Sequence, residues 1–197
     1  MEIRGDTVII EKEPSGLDEL VLNVTETLED LKITYSVVSG YIAVLFGRSR
    51  ATEDIDVITE PFSEATATEL SARLRDAGYW GSAMPLDSMY EMLNDESIIR
   101  IAEDGHRVPN VELKFAGDKY DRASLANTIT VRLNDRELRV GELELQIAYK
   151  LYLGSQKDFE DALYLHRLSE PTLNSLKLEE YAEELDVTEE YEQLTRT

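Results

Sequence analysis

The sequence has no cysteine and only two histidines, so the residue types that most often bind zinc are nearly absent. Without cysteine the chain forms no disulfide and no thiolate metal site, which fits a reducing cytoplasm. His106 and His166 have no partner at metal-ligand spacing, which argues against zinc. The chain also lacks the ~18 consecutive apolar residues of a membrane span, and its start, MEIRGDTVII, does not resemble a signal peptide. We therefore expect a cytoplasmic protein with no membrane partner.

Basic residues are scarce as well, with 20 Lys and Arg against 41 Asp and Glu and a net charge of −21. Such a surface repels nucleic acid at long range, although a tRNA end could still enter a local basic cleft. One explanation is a salt-loving, archaeal-like host, in which screening removes the self-repulsion, and the other is an ordinary acidic protein. The size of the imbalance favours the halophilic host.

Apolar patterning predicts an α/β (α+β) fold, and the 42% hydrophobic content is enough for a core. Strand patterns lie at 7–13, 33–38, 54–59, 96–104 and 108–117, and a hairpin is expected at 129–141. Helical patterns cover 16–32, 40–46, 61–78, 121–128, 142–156, 157–168 and 170–185, whereas 79–94 is ambiguous. We predict a mixed β-sheet domain at residues 1–141 and a C-terminal helical segment at 142–197 packed on it.

The segment DIDVIT carries two aspartates, Asp54 and Asp56, at the start of a predicted strand. Side chains alternate along a strand, so both carboxylates share one face. Two adjacent carboxylates repel each other, and a divalent cation with hard oxygen ligands removes the conflict while leaving positions open for substrate phosphates. The alternative is that both aspartates are simply solvated acids at a strand end. This alternative carries weight because the chain has 41 acidic residues.

The residues before the aspartates favour a phosphate site. Ser39 and Gly40 form a small, flexible turn between a predicted strand and a predicted helix, where backbone N–H groups can approach a phosphate. Arg48 and Arg50 follow the helix, and the planar guanidinium suits phosphate oxygens. These arginines could equally pair with Asp54 or with surface acids.

Together these residues resemble the motif of the DNA polymerase β-like nucleotidyltransferase superfamily. The resemblance is closest to the small prokaryotic branch that includes AbiEii-type toxins and stand-alone nucleotidyltransferase-like proteins. It implies a nucleotidyltransferase-like mixed-sheet palm flanked by helices. The matching positions are Ser39, Gly40, Gly47, Arg50, Thr52, Asp54, Ile55 and Asp56.

The resemblance also implies the chemistry. Asp54 and Asp56 would bind Mg²⁺ or Mn²⁺, and Glu112 in NVELKF, where the family usually has aspartate, would be the third metal ligand or the base for the acceptor hydroxyl. An NTP would be the substrate, and its α-phosphorus would be attacked with release of pyrophosphate. By the same resemblance, the substrate-binding residues are Ser39, Gly40, Arg50, Thr52, Lys150, Lys157 and Asp158.

Alternatives remain at two levels. Lys150 and Lys157 contact nucleotide phosphates, or else they pair with acids such as Asp158 and Asp161 and fix the C-terminal helices to the palm. The chain is an enzyme acting on a hydroxyl of RNA, protein or a small molecule, or it is a non-catalytic module that binds nucleotide or protein, with a cognate antitoxin as partner in a toxin–antitoxin or defence pair. A third alternative is a metal-free structural protein whose acids serve solubility.

Overall fold

The computed structural model describes residues 2–4 and 7–196, and a mixed β-sheet organises this part of the chain. Nine strands pair in the order β1-β2-β8-β9-β3-β4-β7-β6-β5. Parallel pairs join β2 to β8, β3 to β9 and β4 to β7, and the other neighbours are antiparallel. The strands are β1 (Glu2–Arg4), β2 (Thr7–Ile10), β3 (Tyr35–Val38), β4 (Asp54–Thr59), β5 (Tyr79–Gly81), β6 (Ile99–Glu103), β7 (Asn110–Phe115), β8 (Thr128–Leu133) and β9 (Arg136–Gly141).

In the described part of the chain, five helices lie between the strands up to β9, and four consecutive helices follow it. They are α1 (Gly16–Asp30), α2 (Gly40–Leu45), α3 (Glu64–Asp76), α4 (Met89–Asn94), α5 (Lys119–Ala126), α6 (Leu143–Leu153), α7 (Gln156–Ser169), α8 (Ser175–Glu184) and α9 (Thr188–Arg196). None of these helices is long and apolar enough to cross a membrane. The predicted α/β class with a mixed sheet is confirmed.

Several predicted boundaries are confirmed because local chemistry determines them. Ser63 caps α3 by accepting a hydrogen bond from the Thr66 amide, and the hairpin β8–β9 turns at Asn134, whose φ of 57° suits asparagine. The predicted helix 170–185 begins only at Ser175, because Asn174 accepts from the Lys177 amide as its cap. The ambiguous region 79–94 contains β5, a single 3₁₀ turn and α4.

One hydrophobic core joins the sheet to the C-terminal helices. Val57 of β4, Val140 of β9, Ile147 of α6 and Leu165 of α7 are each fully buried in it. β9 ends at Gly141 and α6 begins at Leu143, where a boundary was predicted. The division into a palm at 1–141 and a helical segment at 142–197 stays a prediction.

A buried hydrogen-bond network fixes α2, and with it the Ser39–Gly40 turn, against α1. Asp18 forms a capping box with Ser15 at the start of α1, and Tyr41 of α2 donates from its hydroxyl to Asp18 Oδ1 at 2.6 Å. Lys12 Nζ lies 2.9 Å from the other oxygen of this carboxylate. Burial raises the pKa of Asp18, but the hydrogen bonds from Tyr41, Lys12 and Ser15 outweigh it, so the pKa is lowered. The charged carboxylate is therefore satisfied inside the fold.

The excess of negative charge predicts that salt stabilises the protein. Raising KCl from about 0.1 M to about 1 M shortens the screening length from about 10 Å to about 3 Å, so self-repulsion from the net charge of −21 should fall. We expect the melting temperature to rise by several degrees across this range, measured by circular dichroism. As a control, the same titration near the isoelectric point of 4.4 should show a smaller rise. A melting temperature that is flat or falls with salt at pH 7 would contradict the halophilic interpretation.

Candidate functional site

Strand register brings the predicted carboxylates together at one place on the sheet. β4 and β7 are parallel neighbours in which Asp56 pairs with Glu112 and Asp54 pairs with Asn110. Adjacent strands lie about 4.8 Å apart, and residues in register face the same side. Asp54, Asp56 and Glu112 therefore lie on one face of two neighbouring strands. Ile55 and Val57 point to the opposite face and are fully buried.

The charge on the Asp56 carboxylate is disfavoured by its surroundings. This carboxylate is half-buried, and its pKa is raised first by burial and then by the negative charges of Glu112 and Asp54. A hydrogen bond from the Ser39 hydroxyl and the positive charge of Lys114 act in the opposite direction but do not cancel the shift. A cation bound here would stabilise the ionised carboxylate.

The neighbouring carboxylates already have protein partners. Asn110 donates from Nδ2 to Asp54 Oδ1 at 2.8 Å, and Arg100 of β6 donates from Nε to Glu112 Oε1 at 2.7 Å. Among the residues that the structure describes, no group of three or more acids and histidines is arranged to hold a metal ion. Asp54 and Asp56 supply the oxygen ligands that Mg²⁺ accepts, and Mg²⁺ often uses only one or two carboxylates. The chain therefore fits a metal held by the two aspartates, and Glu112 as a metal ligand stays a prediction.

The Ser39–Gly40 turn has an unusual backbone conformation and is in close contact with Gln146 and Arg50. Ser39 has φ 68° and ψ −139°, an unusual conformation for a non-glycine residue, and its amide donates to Gln146 Oε1 of α6 at 2.9 Å. A Cβ added to Gly40 would lie 3.0 Å from the Arg50 guanidinium, so glycine allows this cation to approach the turn. The Ser39 amide is thus paired with Gln146, and the approach of backbone amides of this turn to a phosphate stays a prediction.

Three cations converge on one fully buried carboxylate, Asp161 of α7. Arg48 and Arg50 both form ion pairs with it, and Lys150 Nζ lies 2.8 Å from its Oδ2. Lys150 is itself only 2% exposed. Burial lowers the Lys150 pKa to about 8, and the charges of Arg50 and Arg48 act in the same direction. Glu160 also pairs with Arg48, and Asp158 lies 4.0 Å from Lys150, so three basic and three acidic side chains meet beside Gly40.

The remaining predicted residues lie around this cluster. Asp158 Oδ1 is 4.0 Å from Lys150 Nζ. Lys150 is thus close to two acids of α7, which agrees with the alternative that it pairs with acids of the C-terminal helices. Lys157 is exposed, and its carbonyl oxygen accepts from Arg48 Nη1 at 3.5 Å. Thr52 donates to the Asp54 carbonyl at 3.1 Å and so fixes the start of β4. The substrate-binding roles of these residues stay predictions.

Sequence analysis missed three residues of this region. Gln146 lies one helical turn before Lys150 and Lys114 lies two residues after Glu112 in β7, so both spacings were visible in the sequence. Tyr149 of α6 gave no signal because aromatic residues on a helix usually belong to the core. Both Gln146 and Tyr149 line a cavity of about 220 Å³ beside Asp56.

Comparisons with known proteins show which solved structures have a similar fold. No protein-family model matches the sequence, and no curated protein matches it. In structure the chain is similar to an antigenic nucleotidyltransferase-like protein from Paracoccidioides brasiliensis, with a TM-score of 0.54 and 18% identity over 85% of each chain. It is also similar to the antibiotic-resistance protein ANT(2″)-Ia in complex with adenylyl-2″-tobramycin (TM-score 0.52, 13% identity, 85% of this chain and 95% of that one). The lincomycin-bound lincosamide adenylyltransferase LnuA gives a TM-score of 0.50 at 16% identity over 77% of this chain and 97% of its own.

These similarities establish a nucleotidyltransferase-like fold, as the resemblance implied. At such low identities they show the fold alone, because folds host many functions and the activity depends on the site. The narrower AbiEii-type branch is not among the similar structures described above.

Proposed function

We propose that the protein is a Mg²⁺-dependent nucleotidyltransferase that moves a nucleoside monophosphate from an NTP to a hydroxyl acceptor. The observation that carries the proposal is the register of β4 and β7, which sets Glu112 beside Asp56 on the face that also holds Asp54. The basic residues Arg48, Arg50 and Lys150 lie next to the Ser39–Gly40 turn. A metal–triphosphate complex requires both features, carboxylates for the metal and cations for the phosphates.

Each residue has a defined part in the proposed reaction. Asp54 and Asp56 would hold Mg²⁺, which when bound supplies charge stabilisation at the phosphates. Arg50 and Lys150 would bind the β- and γ-phosphates and so orient the pyrophosphate as leaving group. Glu112 would take the proton from the acceptor hydroxyl. The oxygen of that hydroxyl would then bond to the α-phosphorus as the bond from the α-phosphorus to the leaving pyrophosphate breaks. The Arg100 contact leaves Glu112 Oε2 for this proton.

The acceptor is proposed to be a small molecule with a hydroxyl group. Two structurally similar proteins are named as an antibiotic adenylyltransferase with lincomycin and as a complex with adenylyl-2″-tobramycin, which supports small hydroxyl compounds. The net charge of −21 opposes extensive contacts with RNA, so a tRNA acceptor ranks below a small molecule.

A second candidate function is a non-catalytic module that binds nucleotide or protein, as in an AbiEii-type toxin–antitoxin pair. The Arg100–Glu112 ion pair favours it, because it occupies one oxygen of the carboxylate that would act as the base. Metal-dependent NTP binding without transfer to any acceptor would support this function over the enzyme.

Replacing Glu112 by Gln separates the two functions. If Glu112 is the base, Glu112→Gln should lower transfer by about 10²–10⁴-fold, while Mg²⁺–NTP affinity measured by calorimetry stays within a few-fold. Arg100→Gln is the matched control, because it removes the partner of Glu112 but leaves the carboxylate free to act. Equal transfer by wild type and Glu112→Gln would show that Glu112 is not the base.

The proposed activity is tested with each labelled NTP and Mg²⁺ at high salt, offered separately with hydroxyl-bearing small molecules, total RNA and cell protein. We expect label on one acceptor class and none with an Asp54→Ala/Asp56→Ala double variant. The absence of both transfer and metal-dependent nucleotide binding would refute the proposal.

A further inference from the structure

The cavity of about 220 Å³ beside Asp56 lies between the sheet and two helices. Asp56, Ile58 and Lys114 form its floor on β4 and β7, and α5 and α6 form its walls. Ser39 and Lys150 also line it, so the cavity opens directly from the proposed phosphate site. It is therefore within reach of a group attached to a phosphate bound there.

The walls of the cavity are aromatic and aliphatic. The Tyr149 ring centroid lies 6.0 Å from that of Tyr120 and 5.7 Å from that of Tyr152, and both pairs of rings are tilted. Tyr120 is held in place by a hydrogen bond from its hydroxyl to the Glu184 carbonyl at 3.1 Å. A supported ring of this kind offers a flat face on which a planar ligand can stack.

Two polar groups on the cavity wall are free to bind a ligand. Ser124 lines the cavity and is only 4% exposed, yet its hydroxyl makes no hydrogen bond to the described part of the chain. The Tyr149 hydroxyl likewise has no partner among the described residues. A ligand in the cavity can therefore hydrogen-bond to the Ser124 hydroxyl.

The charged residues that line the cavity are balanced in number, because Asp56 and Asp121 are acidic whereas Lys114 and Lys150 are basic. Lys114 and Asp121 form an ion pair at 2.9 Å, which balances the two charges on that side. The two arginines that suit phosphate, Arg48 and Arg50, do not line the cavity and pair with Asp161. A neutral, planar group can thus occupy the cavity while the phosphates attached to it remain near Arg50 and Lys150.

The position of Glu112 indicates which of the two substrates, the acceptor or the NTP, the cavity binds. Glu112, the proposed base, does not line the cavity and is held by Arg100 on β6, the neighbour of β7 on the side away from β4. The acceptor hydroxyl must reach Glu112, so the acceptor approaches from the β6 side. The cavity on the α5–α6 side is then left for the nucleoside of the NTP.

We propose that the cavity between α5 and α6 is the nucleoside subsite, in which Tyr149 stacks on the nucleobase and Ser124 hydrogen-bonds to the nucleoside. This inference rests on the proposed function, because it requires an NTP at the adjoining phosphate site. It assigns Tyr120, Ser124 and Tyr149 to nucleotide recognition and leaves the acceptor outside the cavity.

The test compares nucleotides with inorganic triphosphate, which has no nucleoside. Calorimetry with Mg²⁺ at high salt should show that Tyr149→Ala weakens the affinity for the preferred NTP about tenfold, as loss of base stacking does. The affinity for inorganic triphosphate should be unchanged, which also shows that the variant is folded. Tyr149→Phe keeps the ring and serves as the matched control, with an NTP affinity close to that of the wild type.

Three outcomes separate this inference from the proposed function. If NTP and triphosphate bind the wild type equally, or if Tyr149→Ala weakens both alike, the nucleoside subsite is refuted and the phosphate site stands. If Tyr149→Ala raises the acceptor KM and leaves NTP affinity unchanged, the cavity holds the acceptor instead. If neither NTP nor triphosphate binds with Mg²⁺, both proposals fail.

Discussion

An Asp56→Asn variant is expected to lose at least about 10³-fold in nucleotide transfer while its melting temperature stays the same or rises. Asparagine has nearly the same shape as aspartate but carries no charge, so it would bind Mg²⁺ weakly. The loss would appear in kcat and in metal affinity, measured by initial rates over a Mg²⁺ titration.

The expected stability follows from the raised pKa of Asp56. Burial, Glu112 and Asp54 disfavour the ionised carboxylate in the folded protein. A raised folded-state pKa gives stability that is present below the unfolded pKa and is lost as pH rises through the folded value. At pH 7 without metal, the Asp56 charge therefore opposes folding, and the substitution removes that cost.

Glu60→Gln provides the matched control, since Glu60 is an exposed acid just after β4. It should leave transfer and metal dependence unchanged. An Asp56→Asn variant that transfers nucleotide at the wild-type rate, or that unfolds at a clearly lower temperature, would show that Asp56 is a structural rather than a metal-binding residue.

An Asp161→Asn variant is expected to lose about 3–5 kcal/mol in the free energy of unfolding. Asp161 is fully buried and is the common partner of Arg48, Arg50 and Lys150. Removing its charge leaves three cations close together with no buried counterion. Urea unfolding followed by circular dichroism measures the loss.

Glu160→Gln is the matched control for this prediction, because Glu160 is the residue before Asp161 and also pairs with Arg48. Its side chain is half exposed, so its ion pair should contribute less than about 1 kcal/mol. Equal stabilities for the two variants would mean that burial of Asp161 is not what holds the cations at the Gly40 turn.

The parts of the site that sequence analysis could predict are those determined by local pattern. The alternation in DIDVIT set Asp54 and Asp56 on one face, and the Ser63 cap and the Asn134 turn defined elements through their own chemistry. The choice of Glu112 as a third carboxylate came from family resemblance, and register places it beside Asp56.

The contacts that sequence analysis could not predict join distant segments. Arg50 and Asp161 are 111 residues apart, and Gln146 and the Ser39 amide are 107 apart. No local periodicity encodes which of 41 acids a buried arginine will meet. The Arg100–Glu112 pair depends on the order of β6 and β7 in the sheet, which a single sequence does not reveal.

The most direct test of the proposed chemistry follows the α-phosphate. The protein is incubated with Mg²⁺, an acceptor mixture and an NTP labelled at either the α- or the γ-phosphorus. The proposed reaction predicts α-label on the acceptor and γ-label in pyrophosphate, with neither product formed by the Asp54→Ala/Asp56→Ala double variant. Transfer of γ-label to the acceptor, or α-label transfer that survives in the double variant, would contradict it.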